Sequence, residues 1–210
     1  MDWIKNPQDI EQKSFEIIGE LLGDRPLDPL QAPIIKRVIH TTADFDYLEQ
    51  LAFTEEAVPK ALAALKQGAR IVTDTTMALS GINKRALGQL GGEVRCYIAD
   101  EEVARRAKET GQTRSFVAVD RALEEADRPL IFVVGNAPTA LLRLYERVRA
   151  GQAHPAFIVG VPVGFVNVVE AKELIRTLEV PSIVARGRKG GSNVAAAIIN
   201  ALLYQLVERN

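Results

Sequence analysis

Five short apolar runs, ARIVTD, EVRCYI, PLIFVVG, AFIVGV and SIVARG, follow one another after Gly68, each trailed by a segment with helical spacing. No other feature restricts the possible folds as much. A strand without polar alternation has to be covered on both faces, and strand-helix alternation predicts a mostly parallel sheet flanked by helices on both faces. The expected class is therefore α/β, with additional helices ahead of the first run. PQDIEQKSFEIIGELLG spaces Ile10, Phe15, Ile17, Ile18, Leu21 and Leu22 in a helical stripe closed by Gly23 and Pro26, as in a docking helix. A second helix is expected from Pro29 to His40, with Pro29 and Pro33 in its first turn. Thr54, Glu55 and Glu56 mark the start of a third, which runs through AVPKALAALKQG with the acids near the positive end of its dipole.

The chain has 210 residues, 47% of them apolar, which suits a single compact domain over 1–210 with no linker, repeat or low-complexity tail. A net charge of −1 supplies no broad field for nucleic acid or an anionic membrane, so a bound anion must be held by local groups. Cys96 is the only cysteine, which excludes an internal disulfide. Inside VRCYI it reads as a buried, inert thiol in a reducing compartment. No apolar run approaches the ~20 residues that span a bilayer, and MDWIKNPQDIEQ lacks the basic-then-apolar order of a signal peptide, so a cytoplasmic location is expected.

In an open parallel sheet, ligands bind outside the carboxyl ends of the strands. The residues just after each run therefore define a candidate site. They are Asp74, Thr75 and Thr76; Asp100; Asn136, Ala137, Pro138 and Thr139; Pro162, Val163, Gly164 and Phe165; and the stretch Gly187, Arg188, Lys189, Gly190, Gly191, Ser192, Asn193. In the last group, glycines permit close backbone approach, Arg188 and Lys189 bring two cations, and Ser192 with Asn193 opens a helix whose free N–H groups favour an anion. It reads as an oxyanion clamp or, more plainly, as a solvated turn with a helix cap. Asn136 and Gly164 are likewise either ligand contacts or ordinary turn residues. GRKGGSN fits neither GxxxxGK[ST] nor GxGxxG.

His40 follows the helical pattern IIKRVI and precedes Thr41, Thr42 and Asp44, so its ring emerges near a helix C-terminus among polar groups, where the imidazolium is favoured. Catalysis and simple pairing with the helix dipole both remain open from the residues alone. His154 falls before Pro155 at the opposite end of the sheet. Two distant histidines and one cysteine do not make a zinc or iron pattern, so no metal site is expected. No G-x-S-x-G elbow occurs, and Ser80 in MALSG lies inside a helical stretch, which argues against a serine hydrolase.

Taken in order, RVIHTTADFDY, TDTTMALSGI, GQTRSFVAV, GNAPTAL, HPAFIVGVPVGFVNVVEAKE and ARGRKGGSNVAAAIINALL resemble the precorrin-8X methylmutase (precorrin isomerase) family of cobalamin biosynthesis, from about Pro7 to Leu203. The resemblance implies an isomerase that moves a methyl group from C-11 to C-12 of precorrin-8X or cobalt-precorrin-8 by a 1,5-sigmatropic shift, giving hydrogenobyrinate or cobyrinate. It also implies an α/β fold, a homodimer with sites near the subunit interface, and no redox cofactor or activated methyl donor. The family's histidine in I-H-T-T-A-D aligns with His40, which is thereby implied as the proton donor, oriented by Thr41, Thr42 and Asp44. For a flat macrocycle rimmed with carboxylates, Arg188, Lys189, Arg114 and Ser115 are expected anion holders. Gly164, Gly190 and Gly191 would permit approach, and Val163 and Phe165 would offer apolar surface. Thr41, Thr42, Thr75, Asn136, Thr139 and Ser192 complete the expected substrate contacts. Two rival readings are a carrier that binds and delivers the corrin product, and a nucleotide-binding α/β enzyme.

Overall fold

The computed structural model describes residues 3–208. In chain order the elements are α1 (Pro7–Leu22), α2 (Ala32–Thr42), α3 (Tyr47–Gln50), β1 (Leu51–Phe53), α4 (Ala57–Lys66), β2 (Arg70–Thr73), α5 (Thr76–Gly81), α6 (Lys84–Gln89) and β3 (Glu93–Arg95), then α7 (Glu101–Thr110), α8 (Arg114–Glu124), β4 (Leu130–Val134), α9 (Pro138–Arg149), β5 (Phe157–Gly160), α10 (Val168–Arg176), β6 (Ser182–Ala185) and α11 (Ser192–Leu203). The strands form a six-stranded sheet in the order β1-β6-β5-β4-β2-β3. All neighbouring pairs are parallel except β1 with β6.

The apolar runs are explained by which face each residue takes. Ile71, Ile131, Val133, Phe157, Val159 and Ile183 face a layer built from α1, α2, α4, α6 and α11. Val72, Phe132, Val134, Ile158 and Val184 face the opposite layer, built from α7, α8, α9 and α10. Because β2, β4, β5 and β6 are buried on both faces, polar alternation has nowhere to appear. The C-terminal helix α11 is nearly all apolar because it is enclosed, packing against α2, α4 and α5 as well as strands β4 and β5. Among the described residues, no helix is long and apolar enough to cross a membrane.

Four details differ from the sequence expectations. The strand β1 is unforeseen, because LAF is three residues long and sits inside a helix-like pattern. It forms through its antiparallel register with β6, Leu51 opposite Ala185 and Phe53 opposite Ile183. Thr54 then clasps β6: its N–H donates to the Ser182 carbonyl (3.0 Å) and its Oγ1 accepts from the Ser182 N–H (2.8 Å). Thr54 is thus not the helix cap; α4 starts after Glu56, which takes a left-handed conformation (φ 54°) without a side-chain cap. The second helix begins at Ala32, because the Asp28 carboxylate accepts the Leu30 and Gln31 N–H groups and holds that segment as a turn. Only Glu93–Arg95 of EVRCYI pairs in the sheet, as an edge strand, and Cys96 beyond it is half-buried, its thiol pushed up by desolvation.

Phe157 is fully buried at the centre of the sheet. Phe157→Ala is expected to destabilise the fold by about 3–5 kcal/mol, read as a lower midpoint in urea denaturation, because the cavity left by a central ring collapses only in part.

Candidate active site

The parallel strands run β3-β2-β4-β5-β6, so the winding reverses between β2 and β4. At such a reversal the loops diverge and leave a crevice. Asp74, one residue past β2, spans it. Its Oδ1 accepts the Gly135 N–H (2.9 Å), and its Oδ2 accepts those of Asn136 (2.8 Å) and Ala137 (2.6 Å). Desolvation pushes this carboxyl up, against the three amides that favour its ionised form. Next to it, Thr75 Oγ1 lies 2.8 Å from Ser192 Oγ, and Thr113 Oγ1 lies 2.8 Å from Thr139 Oγ1. A Cβ on Gly135 would sit 2.7 Å from the Ser192 Cα, so the 135–137 turn is pressed onto the start of α11. The structure thereby brings Thr75, Asn136, Thr139 and Ser192 to one crevice. Ser115 lines a hollow beneath it with Asp74 and Phe132, while Arg114 begins α8, exposed.

A second pair of loops meets beside this one. The Gly191 N–H donates to the Val161 carbonyl (2.9 Å) and the Gly164 N–H to the Arg188 carbonyl (3.1 Å). A Cβ on Gly190 would lie 2.1 Å from the Val161 oxygen, and Gly190 has φ 156°, so here the backbones themselves are in contact and only glycine fits. Val163 and Phe165 are exposed, and the Arg188 guanidinium lies 5.9 Å from the Phe165 ring centroid. Lys189 does not stand free for a ligand. Its Nζ donates to Asp44 Oδ2 and Asp46 Oδ2, both at 2.6 Å, and this pairing holds the Asp44 carboxyl below its ordinary value. The expected two-cation clamp is therefore one cation, Arg188, and one tether joining the loop to the turn after α2.

His40 occupies the last turn of α2, exposed. Its Nδ1 lies 2.8 Å from Ser14 Oγ, and its ring stacks on Phe15 with centroids 5.1 Å apart and planes 15° apart. Both partners come from α1, which α2 grips in return: the Arg37 guanidinium lies 4.6 Å from the Phe15 ring centroid and pairs with Glu11. Thr41 and Thr42 do not orient the ring. Their hydroxyls donate to the Arg37 and Val38 carbonyls, as helical hydroxyls commonly do, and Asp44 is taken by Lys189. Nε2 has no partner among the described residues. Nor does any hydrogen bond or ring contact among them join His40 to the crevice loops; the link is the Asp44–Lys189 pair, four residues further on. His154 is exposed ahead of β5, at the other end of the sheet.

Residues 9–205 match the family described as precorrin-8X methylmutase. This chain belongs to that family. The cobalt-precorrin-8 methylmutase of Salmonella typhimurium is 52% identical over 99% of this chain and 100% of its own length. The precorrin-8X methylmutase of Pseudomonas aeruginosa is 38% identical over 96% of this chain and 97% of its own. A crystal structure of precorrin-8x methyl mutase from Thermus thermophilus superposes with a TM-score of 0.87 at 44% identity, covering 94% of this chain and 95% of that one. Membership makes the chain an isomerase of the methylmutase type.

Within this methylmutase, sequence reasoning passed over two groups. Phe15 reads as part of a docking stripe and Ser14 draws no reading, and only the packing of α1 across α2 reveals that they hold the histidine; an SF pair on a helix carries no local signal for that. Lys172, in VVEAKELIR, draws no reading from the sequence, yet it is fully buried beneath the 187–191 loop. Asp74→Ala should strand the buried amides of Gly135 and Ala137 and destabilise the protein by roughly 1–3 kcal/mol per unpaired buried group, with Asp74→Asn in between because its amide oxygen still accepts. Urea denaturation of the two variants beside the parent checks the order.

Proposed function

We propose that this isomerase moves a methyl group from C-11 to C-12 of cobalt-precorrin-8, giving cobyrinate, with His40 as proton donor to a macrocycle nitrogen. The observation that carries the activity is the family match across residues 9–205. The cobalt form is favoured over precorrin-8X because the Salmonella typhimurium relative, at 52% identity, bears the cobalt name, whereas the Pseudomonas aeruginosa relative named for precorrin-8X stands at 38%.

The geometry supports the role of His40. A methyl shift across a conjugated macrocycle moves electron density onto ring nitrogens, and a donor placed at one of them stabilises that distribution. A stacked ring with one nitrogen bonded to Ser14 has its plane and orientation set, which leaves Nε2 to face the substrate. Placing the donor in advance of the reaction is where much of such a residue's effect arises. Thr75, Asn136, Thr139 and Ser192 meet the rim groups of the macrocycle, Arg188 and Arg114 its carboxylates, and Val163 and Phe165 its apolar face. Thr41 and Thr42 remain at the edge of the His40 side.

His40→Ala should keep the fold and still bind the corrin product while losing about 10²- to 10⁴-fold in isomerisation. Ser14→Ala should lose less, since the stacked ring keeps its plane. Absorbance spectra taken over a single turnover give both rates, and they separate an enzyme, which converts the chromophore, from a carrier, which shifts it only in proportion to protein. Parental turnover by His40→Ala would remove the histidine from the chemistry.

The chain works, in the same proposal, as one cytoplasmic domain paired with a second copy of itself. On α1, Ile10, Ile17 and Leu21 are exposed along one line of the helix, with Ser14 beside them, an apolar stripe suited to a partner subunit at the histidine. Sedimentation equilibrium should return twice the chain mass. Leu21→Glu, which puts a charge on that stripe, should shift the protein toward the monomer.

A further inference from the structure

Lys172, on α10, is fully buried, yet no carboxylate among the described residues pairs with it. Its Nζ donates instead to the Gly187 carbonyl (2.9 Å) and the Lys189 carbonyl (2.8 Å). Burying an amine without a counter-charge is costly, and desolvation draws this one down to about 8. Protonated or neutral, the nitrogen has at least two N–H bonds, enough for both carbonyls. An apolar side chain of the same length would fill the space equally well, so what the lysine adds is its hold on these two oxygens.

That hold decides which way the loop faces. In a trans peptide the C=O and N–H point in opposite directions. Drawing the carbonyls of residues 187 and 189 inward therefore turns the amides of Arg188 and Gly190 away from α10, and neither has an acceptor among the described residues. Lys189, the more obvious holder of a carboxylate, is already balanced by Asp44 and Asp46. The capacity of this loop for an anion thus rests on the Arg188 side chain and on amides whose direction Lys172 sets.

We propose that Lys172 is a positioning residue for the isomerisation: from beneath, it fixes the 187–191 loop so that Arg188 and the outward amides of Arg188 and Gly190 receive a rim carboxylate of the macrocycle. This rests on the activity proposed above. Lys172 itself touches no substrate. Its effect falls on binding, whereas that of His40 falls on the chemical step.

The test is Lys172→Met, which keeps the volume and removes the donor. The expected result is a KM for the substrate and a Kd for cobyrinate, measured by absorbance titration, each about tenfold higher, with kcat within about threefold of the parent. Amide hydrogen exchange at Gly191, whose N–H donates to the Val161 carbonyl, and at Gly164, whose N–H donates to the Arg188 carbonyl, should quicken in the ligand-free protein. Lys172→Gln, which keeps an NH2 group on a shorter side chain, should fall between parent and Met and serves where the Met variant does not fold. A kcat that drops at unchanged KM would mark a mere loss of folded molecules and overturn the proposal, as would parental affinity. Turnover by the parent is the separate control on the isomerase activity. Exchange needs no substrate, so parental exchange rates in Lys172→Met overturn the proposal even where the parent fails to isomerise.

Discussion

Loops that leave a sheet covered on both faces must find partners for their backbone N–H and C=O groups before they can hold a ligand. Here two buried side chains of opposite chemistry meet that demand. The Asp74 carboxylate gathers three amides of the 135–137 turn, and the Lys172 amine gathers two carbonyls of the 187–191 loop. Glycine does the rest. At Gly135 and Gly190 the chains approach so closely that a Cβ would overlap a neighbouring backbone, so the loops lean on one another directly. The crevice is built from backbone held in place, and its side chains are carried on that frame.

The histidine is held by other means, those of α1 and α2. α2 brings His40 to its last turn, and α1 supplies the Ser14 hydroxyl and the Phe15 ring that set its orientation. Arg37 stacks on Phe15 and pairs with Glu11, so the two helices are fastened within one turn of the imidazole. The Lys189–Asp44 and Lys189–Asp46 pairs tie the turn after α2 to the 187–191 loop, in addition to the packing of α11 on α2. The Lys189 ammonium is partly exposed, so the pair serves registration more than stability.

Much of this was legible in the sequence, for physical reasons that particular residues make plain. Strands β2, β4, β5 and β6 announced themselves because burial on both faces removes polar alternation, and the rule about strand ends then singled out Thr75, Asn136, Thr139 and Ser192. The strand β1 was hidden because its three residues owe their conformation to β6. Asp74 was found by position, but its carboxylate faces inward to the backbone of the 135–137 turn. Lys172 was invisible, since a lysine in an amphipathic helix reads as solvated, and only the path of a loop fifteen residues later buries it. Thr41, Thr42 and Asp44 stand next to His40 in sequence, but their side chains bond elsewhere; the ring's hydrogen-bond partner is Ser14, twenty-six positions away.

The close approach at Gly190 also determines where this crevice can vary. Any side chain there would have to push apart the two loops that meet at the Val161 carbonyl, and Gly191 beside it has φ 138°, a conformation that side chains rarely adopt. Variation is left to the outward positions, Val163, Phe165, Val166 and Arg188, which project from the frame without supporting it. If the crevice holds the macrocycle as proposed, its choice of substrate would change by exchanging rim side chains over an unchanged backbone outline.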